Sequence, residues 1–189
     1  MSSPTPPTPS PRLRVVGVVG SPTAGGRTDA AVAAVLAGCT GANTSQVSLA
    51  DTAVEDVLAA MGAADAVVLG SPTYRGSFSS LLRSLLEKTQ RGRYGETSAP
   101  LRGTAAAVVM TAGSSAHYLA LGDLRTVLAG FFGVQVLSPG LVLGPDHFNP
   151  EGVLDPDSAV LAAAHGRALL DLAAAVRASA AIAALEPQV

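Results

Sequence analysis

The chain has 189 residues, with 12 Lys and Arg against 14 Asp and Glu, and 48% of its residues are hydrophobic. This length suits one domain, or one domain with a tail, and the near-neutral charge argues against a nucleic-acid-binding protein, which needs a basic patch. Cys39 and Lys88 are the only residues of their types. An intramolecular disulfide framework and a cysteine-based zinc site are therefore excluded, and a cytoplasmic location is expected.

Two uncharged stretches, 103–122 and 126–145, are long enough to span a bilayer, and the mean hydropathy is +0.39. Glycine and polar residues interrupt both stretches, and buried parallel strands also form continuous apolar runs. We therefore expect no membrane span. Residues 1–11 contain only Met, Ser, Thr and Pro, so they lack the apolar core of a signal peptide.

Strand and helix patterns alternate along the chain after a proline-rich start. Residues 1–12 offer little apolar surface, and we expect a disordered tail there. A single domain is expected from 13 to 185, with a short tail at 186–189. Its segments in chain order are a strand at 13–19, a helix at 28–37, a strand at 46–49, a helix at 54–61, a strand at 65–69, a helix at 77–88, a strand at 104–110, a helix at 116–129, a strand within 134–143 and a helix at 157–184. The apolar side of the last helix is expected at Leu161, Leu169, Leu172 and Val176.

This alternation predicts an α/β fold in which right-handed crossovers build a parallel sheet covered by helices on both faces. Five strands suit a three-layer, flavodoxin-like, doubly wound sheet of order 2-1-3-4-5 better than a six-stranded dinucleotide-binding fold. Ligands bind such a sheet beyond the carboxyl ends of its strands. We therefore expect the site in the loops that follow the first, third and fourth predicted strands.

The first of these loops, at 20–28, is rich in glycine and hydroxyl residues and joins a strand to a helix N-terminus. Backbone N–H groups, the helix dipole, the hydroxyls and Arg27 together predict a site for a phosphate monoester. The loop is not a Walker A motif, because Arg27 stands at the lysine position in the nearest register. The alternative is an ordinary turn in which Ser21 or Thr28 caps the helix.

The second and third loops favour contact with a planar ligand. In the second, at 70–78, Pro72 restricts the backbone, Gly76 permits close approach, and Tyr74 is either a ligand contact or a core aromatic residue. In the third, at 111–117, small residues let a flat ring approach the backbone. Ser115 is equally suited to cap the next helix, and His117 to a structural role.

Three segments, 20–28, 65–87 and 108–128, resemble the NAD(P)H-dependent FMN reductases of the flavodoxin-like superfamily, in the expected order. The segment 131–140 is most similar to the branch that supplies reduced flavin to sulfonate and organosulfur monooxygenases. The resemblance implies bound FMN, NADPH or NADH as co-substrate, a homodimer or homotetramer, no metal, and a flavin-dependent monooxygenase as a possible partner. It also implies that hydride passes from nicotinamide to flavin N5 without a catalytic side chain.

The resemblance further implies a role for each matching residue. The FMN phosphate would be held by Ser21, Thr23, Arg27 and Thr28. The ribityl chain and the edge of the flavin ring would be lined by Pro72, Thr73, Tyr74, Arg75, Gly76 and Ser77. The pyrimidine end of the ring would be contacted by Gly113, Ser114 and Ser115, with His117 as a further flavin or substrate contact.

One departure from the family pattern keeps alternatives open. The segment 118–123 is one residue shorter than in the sulfonate branch, where the extra residue bulges the helix at the subunit interface and helps flavin exchange. The alternative enzyme therefore retains FMN and reduces quinones, azo dyes or metal oxyanions. A flavin-binding electron carrier without NAD(P)H activity is an alternative from another class, and the missing P-loop lysine disfavours a phosphotransferase.

Overall fold

The computed structural model describes residues 12–114 and 118–187. Nearly all of the predicted N-terminal tail, the predicted site residues Ser115 and His117, and the last two residues lie outside these ranges. The strands are β1 (Arg14–Val19), β2 (Asn43–Ser48), β3 (Ala66–Tyr74), β4 (Ser77–Phe78), β5 (Ala105–Thr111), β6 (Gln135–Val136) and β7 (Leu141–Leu143). The helices are α1 (Arg27–Gly38), α2 (Val54–Gly62), α3 (Ser80–Lys88), α4 (Ala120–Thr126), a π-helical segment (Val127–Phe131), a 3-10 turn (Pro145–His147), α5 (Pro156–Ala178) and α6 (Ala180–Ala183).

The sheet has the order β2-β1-β3-β5-β6, and every pair along it is parallel. Strand β7 also pairs in parallel with β5, toward the end of that strand, whereas β6 pairs with its beginning. Together β6 and β7 take the place of the predicted fifth strand. The predicted order 2-1-3-4-5 and the flavodoxin-like fold class are therefore confirmed.

The core lies on both faces of the sheet, because β1, β3 and β5 are buried on both sides. One core cluster joins the sheet to α2, α3 and α4, and the other joins it to α1 and α5. Strands buried on both sides need apolar residues at every position, which explains the continuous Val, Ala and Leu runs. Helices α3 and α5 begin at capping side chains: Ser79 accepts from the N–H of Leu82, and Asp155 accepts from those of Asp157 and Ser158.

Helices α1 and α5 pack unusually closely through glycine. A Cβ atom on Gly166 would lie 2.0 Å from the carbonyl oxygen of Val35, and one on Gly38 would lie 2.0 Å from that of Ala163. Close to these contacts, the buried side of α5 therefore carries the small residues Ala162 and Gly166. Among the described residues, α5 is long and apolar enough to cross a membrane, judged by its length and composition alone.

Several predicted elements differ from the structure. The predicted loop at 70–78 is largely a hairpin, because β3 continues to Tyr74 and pairs with β4. The predicted helix at 77–88 accordingly begins at Ser80. Strand β2 begins at Asn43, three residues ahead of the predicted start. The sequence did not indicate these first residues, because they lie exposed on an edge strand and lack an apolar pattern.

The last two predicted helices also need correction. The predicted helix at 157–184 is interrupted at Ser179, whose side chain caps the short α6. Leu161 was wrongly placed on the apolar side of this helix, because its side chain is 47% exposed. The predicted positions Leu169 and Val176 are buried, together with Ser158, Ala162, Gly166 and Ala173. Within the described residues, the predicted helix at 116–129 begins at Ala120 and continues into the π-helical segment.

Candidate functional site

The loops after β1, β3 and β5 meet at the carboxyl edge of the sheet. The N–H of Gly20 donates to the carbonyl oxygen of Gly70, over 2.7 Å, which joins the first loop to the end of the third strand. The hydroxyls of Thr28 and Thr111 lie 2.8 Å apart and join the first loop to the third. These bonds give the three loops a fixed relative position, as expected for a binding site at this edge.

The first loop presents an uncapped helix N-terminus. Its turn is closed by Ser21, whose hydroxyl donates to the carbonyl oxygen of Thr23 over 2.9 Å and accepts from the Thr23 N–H over 3.2 Å. The N-cap of α1 is Gly26, and no side chain in the described part of the chain caps the helix. The first backbone N–H groups of a helix have no intrahelical acceptors, so this terminus is suited to bind an anion.

Arg27 supplies the cation of this loop. Its side chain is exposed, and its guanidinium lies 5.8 Å from the centroid of the Phe148 ring. Within residues 12–114 and 118–187 it forms no ion pair with a carboxylate. Its positive charge is therefore not neutralised by an acidic neighbour in that part of the chain.

Thr28 is placed differently from Arg27. Only 3% of Thr28 is exposed, and its hydroxyl lies against that of Thr111. The Thr28 hydroxyl thus holds the first loop against β5 inside the protein. Thr23, in contrast, is exposed to solvent. A surface ligand meets Thr23 and Arg27 more readily than Thr28.

The second loop is the tight hairpin between β3 and β4. Its two turn residues, Arg75 and Gly76, have φ angles of +51° and +80°, which are typical of a type I′ turn. Tyr74, at the start of the turn, is 51% exposed and is not a core residue. The buried hydroxyl of Thr73 has no hydrogen-bond partner among the described residues, and such a group is normally satisfied by water or a ligand.

Asp123 is a site residue that the sequence did not indicate. The hydroxyl of Ser77 donates to Asp123 Oδ2 over 2.7 Å, and Arg83 Nη2 donates to the same hydroxyl over 3.3 Å. The bond to Asp123 attaches the hairpin to α4, and the bond from Arg83 attaches it to α3. No spacing rule connects Ser77 with Asp123, although Asp123 is the first charged residue after the uncharged stretch at 103–122.

The third loop is open toward solvent at its described residues. Among the described residues, a Cβ atom on Gly113 would have no neighbour within 4 Å, and Ser114 is half-buried. The Ala112 N–H donates to the carbonyl oxygen of Leu143 over 2.9 Å, which anchors the loop to β7. The predicted contacts Ser115 and His117 lie outside the described residues.

Neither a metal site nor a reactive thiol finds support in the described part of the chain. No group of three or more His, Cys, Asp and Glu side chains suited to a metal occurs there. Burial raises the pKa of the Cys39 thiol to about 11, and this thiol donates to the carbonyl oxygen of Val35 in α1, away from the three loops. Cys39 is therefore not an activated nucleophile at neutral pH.

The described residues fit a ligand that carries a phosphate and a flat ring. The uncapped start of α1 and the unneutralised Arg27 suit the phosphate. The open backbone at Gly113 and the unsatisfied Thr73 hydroxyl suit a polar, planar group beside it.

Comparisons with known proteins agree with this arrangement. A family model described as NADPH-dependent FMN reductase matches residues 13–148. The NADH-dependent FMN reductase SfnF of Pseudomonas putida is 29% identical over 109 residues, which cover 56% of this chain and 55% of SfnF. The chain thus aligns with about half the length of that relative.

Solved structures share the fold. An NADH:FMN oxidoreductase, EMOB, in its apo form, has a TM-score of 0.69 at 21% identity, covering 85% of this chain and 89% of that one. A flavodoxin, WrbA-like protein from Agrobacterium tumefaciens has a TM-score of 0.69 at 19% identity, covering 86% and 98% of the two chains. At these identities the likeness shows the fold alone.

Proposed function

Because the chain belongs to the NADPH-dependent FMN reductase family, whose model spans residues 13–148, we propose that it reduces FMN with NADH or NADPH and releases reduced FMN to a monooxygenase. The observation that carries this proposal is the uncapped N-terminus of α1 beside the exposed, unneutralised Arg27. Together they form an anion site at the sheet edge where this fold binds its ligands.

In this proposal the first loop holds the FMN phosphate. Arg27 and Thr23 contact the phosphate directly from the exposed side, together with the first N–H groups of α1. Ser21 shapes the loop through its two bonds to Thr23. Thr28 holds the loop against β5 through Thr111.

The second and third loops orient the flavin ring. Tyr74, Arg75 and Gly76 in the hairpin cover one edge of the ring, and Pro72, Thr73 and Ser77 line the path toward the ribityl chain. Gly113 and Ser114 meet the pyrimidine end, and Ser115 and His117 belong to the same proposed contact region. When bound, FMN supplies the hydride acceptor at N5. The chain's residues orient the two reactants and exclude water, and none is required to act as an acid or base.

The test compares FMN with riboflavin, which lacks the phosphate. Arg27→Ala is expected to weaken FMN binding about ten-fold or more, because a charge-assisted hydrogen bond contributes about 1.5–3 kcal/mol. Riboflavin binding is expected to stay unchanged. Arg167→Ala, at an exposed arginine on α5, is the matched control and should alter neither. Equal affinity of the parent protein for FMN and riboflavin would overturn the phosphate assignment.

The role of FMN as substrate or as retained group is a separate question. The short segment 118–123 supports retention and the alternative acceptors, namely quinones, azo dyes or metal oxyanions. The similarity of segment 131–140 to the sulfonate branch supports release, and the helix after the third loop does depart from regular geometry, at Val127–Phe131. Desalting distinguishes the two. Colourless protein that regains turnover on addition of FMN is the proposed result, and yellow protein with stoichiometric FMN favours the alternative.

We further propose that the protein is a cytoplasmic homodimer or homotetramer. Tyr118 and Leu119, beside the third loop, are 62% and 72% exposed, which leaves an apolar surface next to the site. Light scattering after size exclusion should give a mass above that of one chain. Leu119→Glu should lower that mass, whereas Val160→Glu on α5 should not. A monomeric parent protein would contradict the proposal.

A further inference from the structure

We propose that Phe148 is a positioning residue that holds Arg27 in the orientation required for phosphate binding. This inference rests on the proposed function of the first loop. Phe148 lies outside the three loops, in the segment between β7 and α5. Its ring centroid is 5.8 Å from the Arg27 guanidinium, within the range of a cation–π contact.

The position of the Phe148 ring is fixed by its own segment. Phe148 forms an antiparallel bridge with Leu154, and the N–H of Asn149 donates to the carbonyl oxygen of Val153 over 2.8 Å. The N–H of Asp155 donates to the carbonyl oxygen of His147 over 3.0 Å, which closes the segment directly before α5. Phe148 and Leu154 also pack against the core cluster that includes α1 and α5. The ring is therefore held between that core and the Arg27 guanidinium.

The same segment also contacts the stem of Arg27. A Cβ atom on Gly152 would lie 3.9 Å from Arg27 Cγ, at ordinary van der Waals distance. Gly152 has a φ angle of +81°, which glycine adopts readily in a tight turn. The turn thus passes close beside the aliphatic part of Arg27, while the ring lies near its charged end.

A cation–π contact acts on the positive charge of the guanidinium and not on its N–H donors, so these donors stay free to bind a phosphate. Arg27 forms no ion pair within the described ranges, so the ring attracts the cation without occupying those donors. A long side chain that is already restrained loses less freedom when its ligand binds. Phe148 should therefore strengthen phosphate binding without touching the phosphate.

The test measures FMN and riboflavin dissociation constants by quenching of flavin fluorescence. Phe148→Leu is expected to weaken FMN binding roughly two- to five-fold, the range of an exposed cation–π contact, and to leave riboflavin binding unchanged. Phe148→Tyr keeps the ring and should retain parent affinity. Tyr94→Leu is the matched control, because that exposed ring lies 5.9 Å from Arg91 instead, and it should alter neither constant.

The Arg27→Ala variant distinguishes a failure of the Phe148 role from a failure of the proposed phosphate site. If Phe148 acts through Arg27, adding Phe148→Leu to Arg27→Ala should cause no further loss of FMN affinity. An equal loss for FMN and riboflavin in Phe148→Leu, or no loss for either, overturns the positioning role while Arg27→Ala still supports the phosphate site. An Arg27→Ala protein that binds FMN as tightly as the parent overturns the proposed phosphate site itself. Circular dichroism of each variant establishes that it is folded.

Discussion

The hydroxyl of Thr28 lies 2.8 Å from the hydroxyl of Thr111, and both residues are buried at the edge of the sheet. Thr28 stands in the first turn of α1, and Thr111 is the last residue of β5. One hydrogen bond therefore joins the loop proposed to hold the phosphate to the loop proposed to meet the flavin ring. The sequence suggested a phosphate contact for Thr28, whereas the structure gives its hydroxyl a partner within the protein.

We expect Thr28→Val to destabilise the protein by about 1–3 kcal/mol, because the buried Thr111 hydroxyl loses its partner without gaining water. The double variant Thr28→Val, Thr111→Val should lose less than the sum of the two single variants, because neither hydroxyl is then left unpaired. Urea unfolding of the four proteins measures this difference. A single variant as stable as the parent would contradict the role of the bond.

The bond between Ser77 and Asp123 predicts a different effect. Asp123→Ala should weaken FMN and riboflavin binding alike, by roughly two- to twelve-fold, because it loosens the hairpin and removes a hydrogen bond worth about 0.5–1.5 kcal/mol. Asp123→Asn keeps an acceptor oxygen and should bind both flavins nearly as the parent does. Fluorescence titration checks this, and a loss confined to FMN would place Asp123 with the phosphate instead of the ring.

The packing of α1 on α5 predicts a large effect from one methyl group. Gly166→Ala should lower the free energy of unfolding by about 1–3 kcal/mol, because its Cβ would lie 2.0 Å from the carbonyl oxygen of Val35 and the helices must separate. Gly122→Ala on α4 is the matched control, since a Cβ there would meet no described residue within 4 Å. That change should be neutral or stabilising. Similar urea midpoints for the two variants would contradict the close approach.

The N-cap of α5 predicts a pH dependence. Hydrogen bonds from the side chain and backbone of Ser158 hold the pKa of Asp155 below its ordinary value of 3.8. A carboxyl whose pKa is lower in the folded state stabilises the protein above its unfolded pKa, and this contribution is lost as the pH falls through the folded pKa. The difference in urea midpoint between the parent and Asp155→Ala should therefore be constant near neutral pH and shrink below about pH 4. A difference that stays constant to lower pH would show that the charge of Asp155 is irrelevant.

The bounds of the central strands β1 and β5 could be predicted closely from the sequence, but the end of β3 could not. Strands β1 and β5 are buried on both faces, so their apolar runs mark them within a residue or so. Residues 70–74 contain glycine, serine and proline, which usually indicate a turn. Pairing of residues 70–72 with residues 109–111 of β5 extends β3 to Pro72, and this long-range contact has no local sequence signal. Pairing with β4 then carries the strand on to Tyr74.

The position of the candidate site could be predicted from the sequence as a set of loops, but its contacts could not. Strand order alone places the three loops at one edge, and the glycines and hydroxyls of 20–28 predict the anion site that we propose there. The partners Thr111, Asp123 and Phe148 come from elements distant in the chain. Their contacts with the loops could be identified only from the fold, which brings these elements together.

Oxidation of NADH and of NADPH in the presence of added FMN tests the proposed activity most directly. We predict that the purified protein oxidises at least one of the two nucleotides in an FMN-dependent manner. At limiting FMN, the rate should fall about ten-fold or more in Arg27→Ala and stay unchanged in Arg167→Ala. Tight FMN binding without oxidation of either nucleotide would contradict the proposal and identify the chain as a flavin-binding electron carrier.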